Sequence, residues 1–328
     1  KRSNGIQVNA SRVTGTDTIG ISFVNWVKFD QPSSTARLIA QSLLFLSVEK
    51  KFRELMPEGM VTGTRHMAAD NEIDRAQLTR RLGNPFVRWL VRTVESLVLP
   101  GIQLHYLLRK LAIENFVRTS IADGIKQVVI LGAGLDTLAG RLHGEFPLTS
   151  FIEVDHPSTQ EAKLRLLHDW RKTGGNLHFL PGDFSEQTLD KVLMESPHFE
   201  SELSTLFIAE GLLMYMPSEK IDLLLRFVTT QLPANRIAFT YMDNQPPKGN
   251  PGFEGCRTLT NVWLRWKGEP FIWGLPKGEI VSFLQKHDLQ LLEHFNAQNL
   301  PAKFLRKHNN LKGVKSISGE SLACCSII

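Results

Sequence analysis

The chain has 328 residues, of which 42% are hydrophobic and 22% charged, with no long block of one sign; that is apolar material for one large core and argues against disorder outside the ends. Its net charge of +5 with neutral histidine suits an anionic ligand but falls short of the basic stripe of a nucleic-acid binder, so no nucleic-acid partner is expected. No apolar run reaches the ~18 residues of a membrane span, and the polar first twenty residues contain no signal-type apolar stretch, which predicts a cytoplasmic protein without a membrane partner.

Up to about residue 122 the apolar pattern is helical. Ala36, Ile39, Ala40 and Leu43 follow the i, i+3, i+4, i+7 rule. The polar, turn-rich stretch from Met56 to Arg75 reads as a mobile connection. Phe86, Trp89, Leu90, Thr93 and Leu97 stripe a second helix, which Pro100-Gly101 breaks. Leu104, Leu107, Leu108 and Leu111 predict a third, running to about Ala122 before Asp123-Gly124. From residue 123 the rhythm changes. Strands are predicted over 127–131, 150–154, 177–180, 206–209 and 236–241, with helices between them marked by Leu135, Leu138 and Leu142, by the stretch opening at Pro157, and by Ile221, Leu224, Leu225, Val228 and Leu232. Such alternation, with strands written as continuous apolar runs, predicts an α/β fold whose parallel sheet is covered on both faces. Residues 243–276 interrupt it with Pro, Gly and Trp, and read as a lid insertion in which Trp263, Trp266 and Trp273 form an apolar cover. A helix over 277–287 and strands over 289–294 and 321–325 close the chain. The expected division is a helical cap, 1–122, and a catalytic domain, 123–328. The three cysteines, Cys256, Cys324 and Cys325, have neither a disulfide framework nor zinc spacing, so buried free thiols and no metal are expected.

Four motifs carry chemistry. Gly132-Ala133-Gly134-Leu135-Asp136 follows the first strand and opens a helix, where glycines let backbone approach a ligand. Asp155 ends the second strand about 20 residues on, the spacing at which an acid reaches ribose hydroxyls; it also stands where it could cap the helix at Pro157. A dinucleotide fingerprint requires a third glycine where Thr137 stands, so the loop favours S-adenosylmethionine over NAD. Asp183-Phe184 after the third strand could bind and flank an adenine, or serve an ordinary turn. Glu210, leaving the fourth strand, is a carboxylate in need of a cationic partner, from a ligand or from a protein arginine.

In this order, the segments Val128–Thr137, Glu153–Pro157 and Ala209–Tyr215, with Trp273-Gly274 and Gly319–Cys324, resemble the leucine carboxyl methyltransferase family, and within it the bacterial O-methyltransferase branch. The resemblance covers roughly residues 105–328. It implies a doubly wound, mostly parallel seven-stranded sheet of the class I, Rossmann-like methyltransferase type, with S-adenosylmethionine as cofactor. By the same match Arg109 grips the methionine carboxylate, the Gly132-Ala133-Gly134 turn contacts the methionine end, and Asp155 holds the ribose. Asp183 and Phe184 take the adenine, Glu210 takes the ammonium, and Tyr215 lines the pocket near the methyl group. The chain departs from the branch at Leu138, where many members carry Arg, and at Ser185 in the third-strand motif; residues 55–100 fit no family pattern.

The expected reaction is O-methylation of a hydroxyl or carboxyl group on a small molecule, and the resemblance, to a branch that includes polyketide-synthesis members, implies a polyketide-like secondary metabolite. A hydroxyl acceptor needs a base; His66, His105, His156 and Asp243 are candidates without a clear winner, whereas a carboxylate needs none. Rival readings are an NAD-dependent oxidoreductase, a non-catalytic binding protein, and modification of a protein carboxyl terminus or RNA. Oligomeric state is not legible.

Overall fold

The computed structural model describes residues 33–168, 170, 174–230, 234–245, 250–254, 270–311 and 313–328. Six helices come first: α1 (Ser34–Ser47), α2 (Lys50–Arg53), α3 (Met60–Met67), α4 (Glu72–Gly83), α5 (Pro85–Val98) and α6 (Ile102–Ala122). Strand and helix then alternate through β1 (Gln127–Leu131), α7 (Leu138–Leu142), β2 (Ser150–Asp155), α8 (Pro157–His168), β3 (Leu177–Pro181), α9 (Leu189–Met194), β4 (Thr205–Ala209), α10 (Ser218–Thr229) and β5 (Arg236–Gln245). The two-residue strands β6 (Asn250–Pro251) and β7 (Leu275–Pro276) pair with the end of β5. Last come α11 (Ile280–Lys286), β8 (Leu289–Phe295), α12 (Asn299–Phe304) and β9 (Glu320–Ile327).

The main sheet has the order β3-β2-β1-β4-β5-β9-β8. Its first five strands are parallel, and β9 runs antiparallel between β5 and β8. The seven-stranded, mostly parallel sheet expected from the sequence is therefore present, with β6 and β7 as appendages. Successive strand residues point to opposite faces, and both faces are buried. Val128, Ile130, Phe151, Leu206 and Cys324 join Leu107, Leu108, Ile113 and Phe116 of α6 in one core; Val129, Leu131, Ile152, Phe207 and Cys325 join Leu224, Leu225 and Leu284 in the other. The adjacent Cys324 and Cys325 are free, and burial raises both thiols above their usual range, which keeps them protonated. Cys256 lies outside the described residues.

Two expectations need correction. The stretch from Met56 to Arg75 is largely helical, in α3 and the start of α4. Its buried positions, Met60, Gly63, Thr64 and Met67, keep the i, i+3, i+4, i+7 spacing, but two of them are small rather than apolar, so the stripe carries little hydrophobic signal. A Cβ on Gly63 would fall 2.5 Å from the Trp170 ring, so glycine there is a packing requirement. Second, α7 starts at Leu138. Leu135 lies in the preceding turn, where Asp136 Oδ1 accepts from the N–H groups of the N-cap Thr137 (2.5 Å) and of the first helical residue Leu138 (3.2 Å).

Candidate functional site

A cavity of about 570 Å³ opens beyond the carboxyl ends of β1, β2 and β4, with α1 and α6 contributing to its walls. This is the edge at which doubly wound sheets bind ligands. Gly132 and Gly134 have φ of 63° and 51°, in the left-handed region that favours glycine. A Cβ on Gly132 would meet Leu212 at 3.1 Å, and one on Gly134 would meet Ala36 at 3.2 Å. The turn is thus clamped between α1 and the segment after β4, and its bare backbone faces the cavity. Asp155 accepts from the Gly134 N–H and, at 2.6 Å, from the His156 N–H. Burial raises the Asp155 carboxyl above its ordinary value, and these two donors oppose the rise.

A buried charge cluster forms the polar wall. From α6, Arg109 donates Nε to Glu210 Oε1 at 2.8 Å and Nη1 to both oxygens of Glu320 at 2.7 Å. Lys110 Nζ lies 3.2 Å from Glu210 Oε2 and 3.1 Å from Asp136 Oδ2. Behind Arg109, His105 Nε2 stands 2.8 Å from Glu320 Oε2, and His105 Nδ1 stands 3.2 Å from Ser316 Oγ. Burial works against charge on Arg109, Lys110 and Glu320, but the partners win. Arg109 is raised by Glu320 and Glu210, Lys110 is raised by Asp136 and Glu210, and Glu320 is held at about 2 by Arg109 and His105. Asp136 is pulled below the carboxylate range by Lys110, Lys163 and Arg141.

The remaining wall is mostly apolar, from Ile39, Ala40 and Leu43 of α1, then Leu212, Tyr215, Pro270 and Ile272, with Ser33, Thr35, Thr64 and Thr137 also in the lining. The chain after β4 forms a 3₁₀ turn, Leu213–Tyr215, onto which the 270s fold, since the N–H groups of Ile272 (2.9 Å) and Trp273 (3.2 Å) both donate to Met214 O. Tyr215 packs on Phe271 with ring centroids 5.5 Å apart.

Of the residues singled out in the sequence, Arg109, Gly132, Ala133, Gly134, Asp155, Glu210 and Tyr215 line this one cavity. Asp183 and Phe184 stand outside its lining. Asp183 Oδ1 accepts from the Ser185 N–H and hydroxyl at 2.8 and 2.6 Å, and Phe184 packs against the second core. The four base candidates also stand apart. His66 stacks on Trp170, His105 is buried against Glu320, His156 bonds Ser158 Oγ at 2.9 Å, and Asp243 sits in β5 near its carboxyl end. Trp273 is buried against Phe283 rather than covering the cavity, because the 270s turn inward onto the 3₁₀ segment; Trp263 and Trp266 lie outside the described residues. Sequence reading missed Glu320. The clue was there, since a carboxylate opening the apolar strand Ser321-Leu322-Ala323-Cys324-Cys325 needs a partner, just as Glu210 does.

Among the described residues no group of three or more His, Cys, Asp or Glu side chains could hold a metal ion, and no helix is long and apolar enough to cross a membrane.

Comparison with known proteins agrees with this geometry. The profile of the family described as leucine carboxyl methyltransferase matches residues 65–229, half of the chain, and so includes residues 65–100, for which the sequence reading finds no family pattern. YktD of Bacillus subtilis (strain 168), an inferred S-adenosyl-L-methionine-dependent methyltransferase, is 30% identical over 209 residues, covering 62% of this chain and 67% of the relative. An inferred methyltransferase of the same kind from Mycobacterium tuberculosis (strain ATCC 25618 / H37Rv) is 27% identical over 242 residues, 69% of this chain and 78% of its own length. Two solved structures share the fold, each with a TM-score of 0.55. One is an inferred methyltransferase from Thermobifida fusca YX, 15% identical and covering 90% of this chain and 96% of that one. The other is a DUF574 family protein from Streptomyces avermitilis MA-4680, 11% identical and covering 92% and 100%. The chain belongs to the leucine carboxyl methyltransferase family and is an S-adenosylmethionine-dependent methyltransferase with the class I fold.

Proposed function

We propose that the chain transfers the methyl group to an oxygen of a small, largely apolar acceptor. The observation that carries this reading is one cavity with a wall of buried charges and backbone amides on one side and a wall of aliphatic and aromatic side chains on the other. The cofactor supplies a methyl group already activated by positively charged sulfur. The chain's own residues bind, align and exclude water.

The donor set fits that cofactor. A carboxylate offers about four acceptor sites. At Asp155 the Gly134 and His156 amides take two of these, which leaves capacity for the ribose hydroxyls. Glu210 binds Arg109 through one oxygen and Lys110 through the other, and its remaining lone pairs suit an ammonium. The Arg109 fork already serves Glu210 and Glu320, so Lys110, with three N–H donors and Asp136 and Glu210 as acceptors, shares the methionine carboxylate with it. Gly132 and Ala133 offer backbone at the methionine end. Asp183 and Phe184 reach the adenine only if the 183–185 turn opens toward the cavity. Tyr215, braced by Phe271, lines the acceptor side with Ile39, Leu43 and Ile272.

Among the described residues the cavity lining holds no imidazole, and its three carboxylates, Asp136, Asp155 and Glu210, are each engaged by backbone amides or cations. That favours an acceptor oxygen ionised without help at neutral pH, a carboxylate or an acidic phenol. The segment up to residue 122, of which residues 1–32 lie outside the described residues, acts in this reading as the cap that completes the pocket, through α1 and α6. The test is methyl transfer from labelled S-adenosylmethionine to a panel of apolar carboxylic acids, acidic phenols, aliphatic alcohols and peptides ending in a free carboxylate. Turnover confined to the first two classes supports the proposal, whereas turnover only on peptides or alcohols would sink it.

A further inference from the structure

Most of the large apolar side chains that the described surface leaves exposed are scattered singly, but six fall within one short stretch: Ile73, Phe86, Trp89, Leu90, Val94 and Leu97. Five belong to α5, a helix with no fully buried residue. Its inner edge is anchored, since Val91 packs against the core and Arg88 reaches Glu49 at 2.5 Å with Arg92 bonded to the same carboxylate. The outer face carries Phe86, Trp89, Leu90, half-buried Thr93, Val94 and Leu97. Phe86 is 67% exposed, Trp89 60% and Leu97 73%. Phe86 and Trp89 stack on each other with centroids 5.8 Å apart.

We propose that this face is a homodimer interface, on which α5 of a second copy of the chain packs antiparallel across a twofold axis. The first argument is area. With whole aromatic side chains burying about 150–250 Å² each, the exposed fractions amount to roughly 600 Å² of contiguous apolar surface. That is at the top of the range for the largest patch on a monomer, about 300–600 Å². It also supplies most of the ~800 Å² per partner that a stable interface buries.

The second argument is register. A twofold contact must satisfy each residue twice, i against j and j against i. The outer face of α5 has its residues placed symmetrically about the point between Val91 and Arg92. One antiparallel register therefore sets Phe86 against Leu97 of the second copy, Trp89 against Val94 and Leu90 against Thr93. Each bulky side chain meets a smaller one, and no position of the stripe is left over. Such a seam is what ridge-and-groove packing of two helices requires. The surrounding charge does not select an anionic lipid surface instead. α4 and α5 carry Arg75, Arg80, Arg81, Arg88 and Arg92 against Glu72, Asp74 and Glu95, and Glu49 bonds both Arg88 and Arg92, which leaves a single positive charge in excess, well short of the basic face that an anionic lipid surface requires.

The test is sedimentation velocity of the full chain at micromolar concentration, read beside its circular-dichroism melting curve and its affinity for S-adenosylmethionine. The wild type sediments as a dimer. Leu97→Glu, which puts a buried unpaired charge into the seam twice, weakens the dimer by at least ~100-fold, while the monomer still melts cooperatively, at a temperature lowered by no more than the lost association accounts for, and keeps its donor affinity. Adding Phe86→Lys to Leu97→Glu restores the dimer, because the register pairs those two positions. Should Leu97→Glu misfold, Val94→Glu gives the same reading. A monomeric wild type, a dimer indifferent to both glutamates, or a double variant that stays dissociated overturns the proposal. So does a monomer that co-sediments with phosphatidylglycerol vesicles through this helix, which would assign the face to lipid.

Discussion

Glu320→Gln is the substitution that most directly tests how the polar wall is held. Gln keeps the shape of the side chain and removes its charge. The carboxylate accepts from Arg109 Nη1 at 2.7 Å through both oxygens and faces His105 at 2.8 Å, and all three side chains are buried. Removing one partner of a buried ion pair costs about 3–5 kcal/mol, because it leaves the other charge poorly compensated. A second route gives a similar size. The carboxyl lies at about 2 in the folded chain against an ordinary 4.5, and at ~1.36 kcal/mol per pH unit the gap is about 3 kcal/mol. Arg109 keeps Glu210, so about 3 kcal/mol is the expected loss at neutral pH. The sign follows from the lowered value. The contribution is fully present above pH about 4.5 and is lost as pH falls toward 2. The wild type and Glu320→Gln should therefore differ by about 3 kcal/mol at pH 7, and the difference should shrink steadily below pH 4.5. Urea unfolding at a series of pH values measures this, and subtracting the variant removes the contribution of Asp136 and the other acids. S-adenosylmethionine binding should weaken as well, since Arg109 is then free to draw Glu210 away from the cavity. A variant as stable as the wild type at pH 7, with unchanged donor affinity, would refute the reasoning.

Three further outcomes follow from other parts of the fold. Gly134→Val forces a branched side chain onto a φ of 51° and against Ala36; it should cost about 1–3 kcal/mol and abolish donor binding in calorimetric titration, and retained affinity would show that the turn is not the donor's cradle. Lys163 Nζ lies 2.5 Å from Glu153 Oε2, with both side chains buried, and burial pushes the Glu153 carboxyl up to about 7. Because that value is raised, stability from this group is greatest at low pH and is lost as pH rises through 7; Lys163→Met should thus be destabilised by about 3 kcal/mol at pH 8 and recover toward pH 5, and a pH-independent deficit would argue for a packing effect alone. Tyr215→Phe keeps the ring on Phe271. If the phenol only lines the pocket, kcat should fall less than about tenfold, and a larger loss with unchanged acceptor KM would make the hydroxyl a participant in the proton chemistry.

The parallel sheet was legible because its strands are buried on both faces and so appear as uninterrupted apolar runs, such as Val128–Leu131 and Leu206–Ala209. The Gly loop, Asp155 and Glu210 were legible because backbone exposure and buried acids are anomalies of residue type. Position α3 was not, since Gly63 and Thr64 pack by being small. The long apolar stripe of α5 was readable as a helix. Its exposure was not, because periodicity states which residues share a face and not what covers that face.

Sequence alone determined the fold class, the cofactor chemistry and seven of the residues that meet in the cavity: local rules (strand period, turn stereochemistry, the cost of a lone acid in a buried run) pointed to the Gly132-Ala133-Gly134 turn, Asp155 and Glu210, and the family resemblance supplied Arg109 and Tyr215. Only the tertiary structure decided that Glu320, more than two hundred residues from Arg109, holds that guanidinium, that Asp183 and the candidate histidines stand aside, and that Trp273 faces inward. Those outcomes depend on which side chains compete for the same buried partner, and that competition is set by distances between segments remote in the chain.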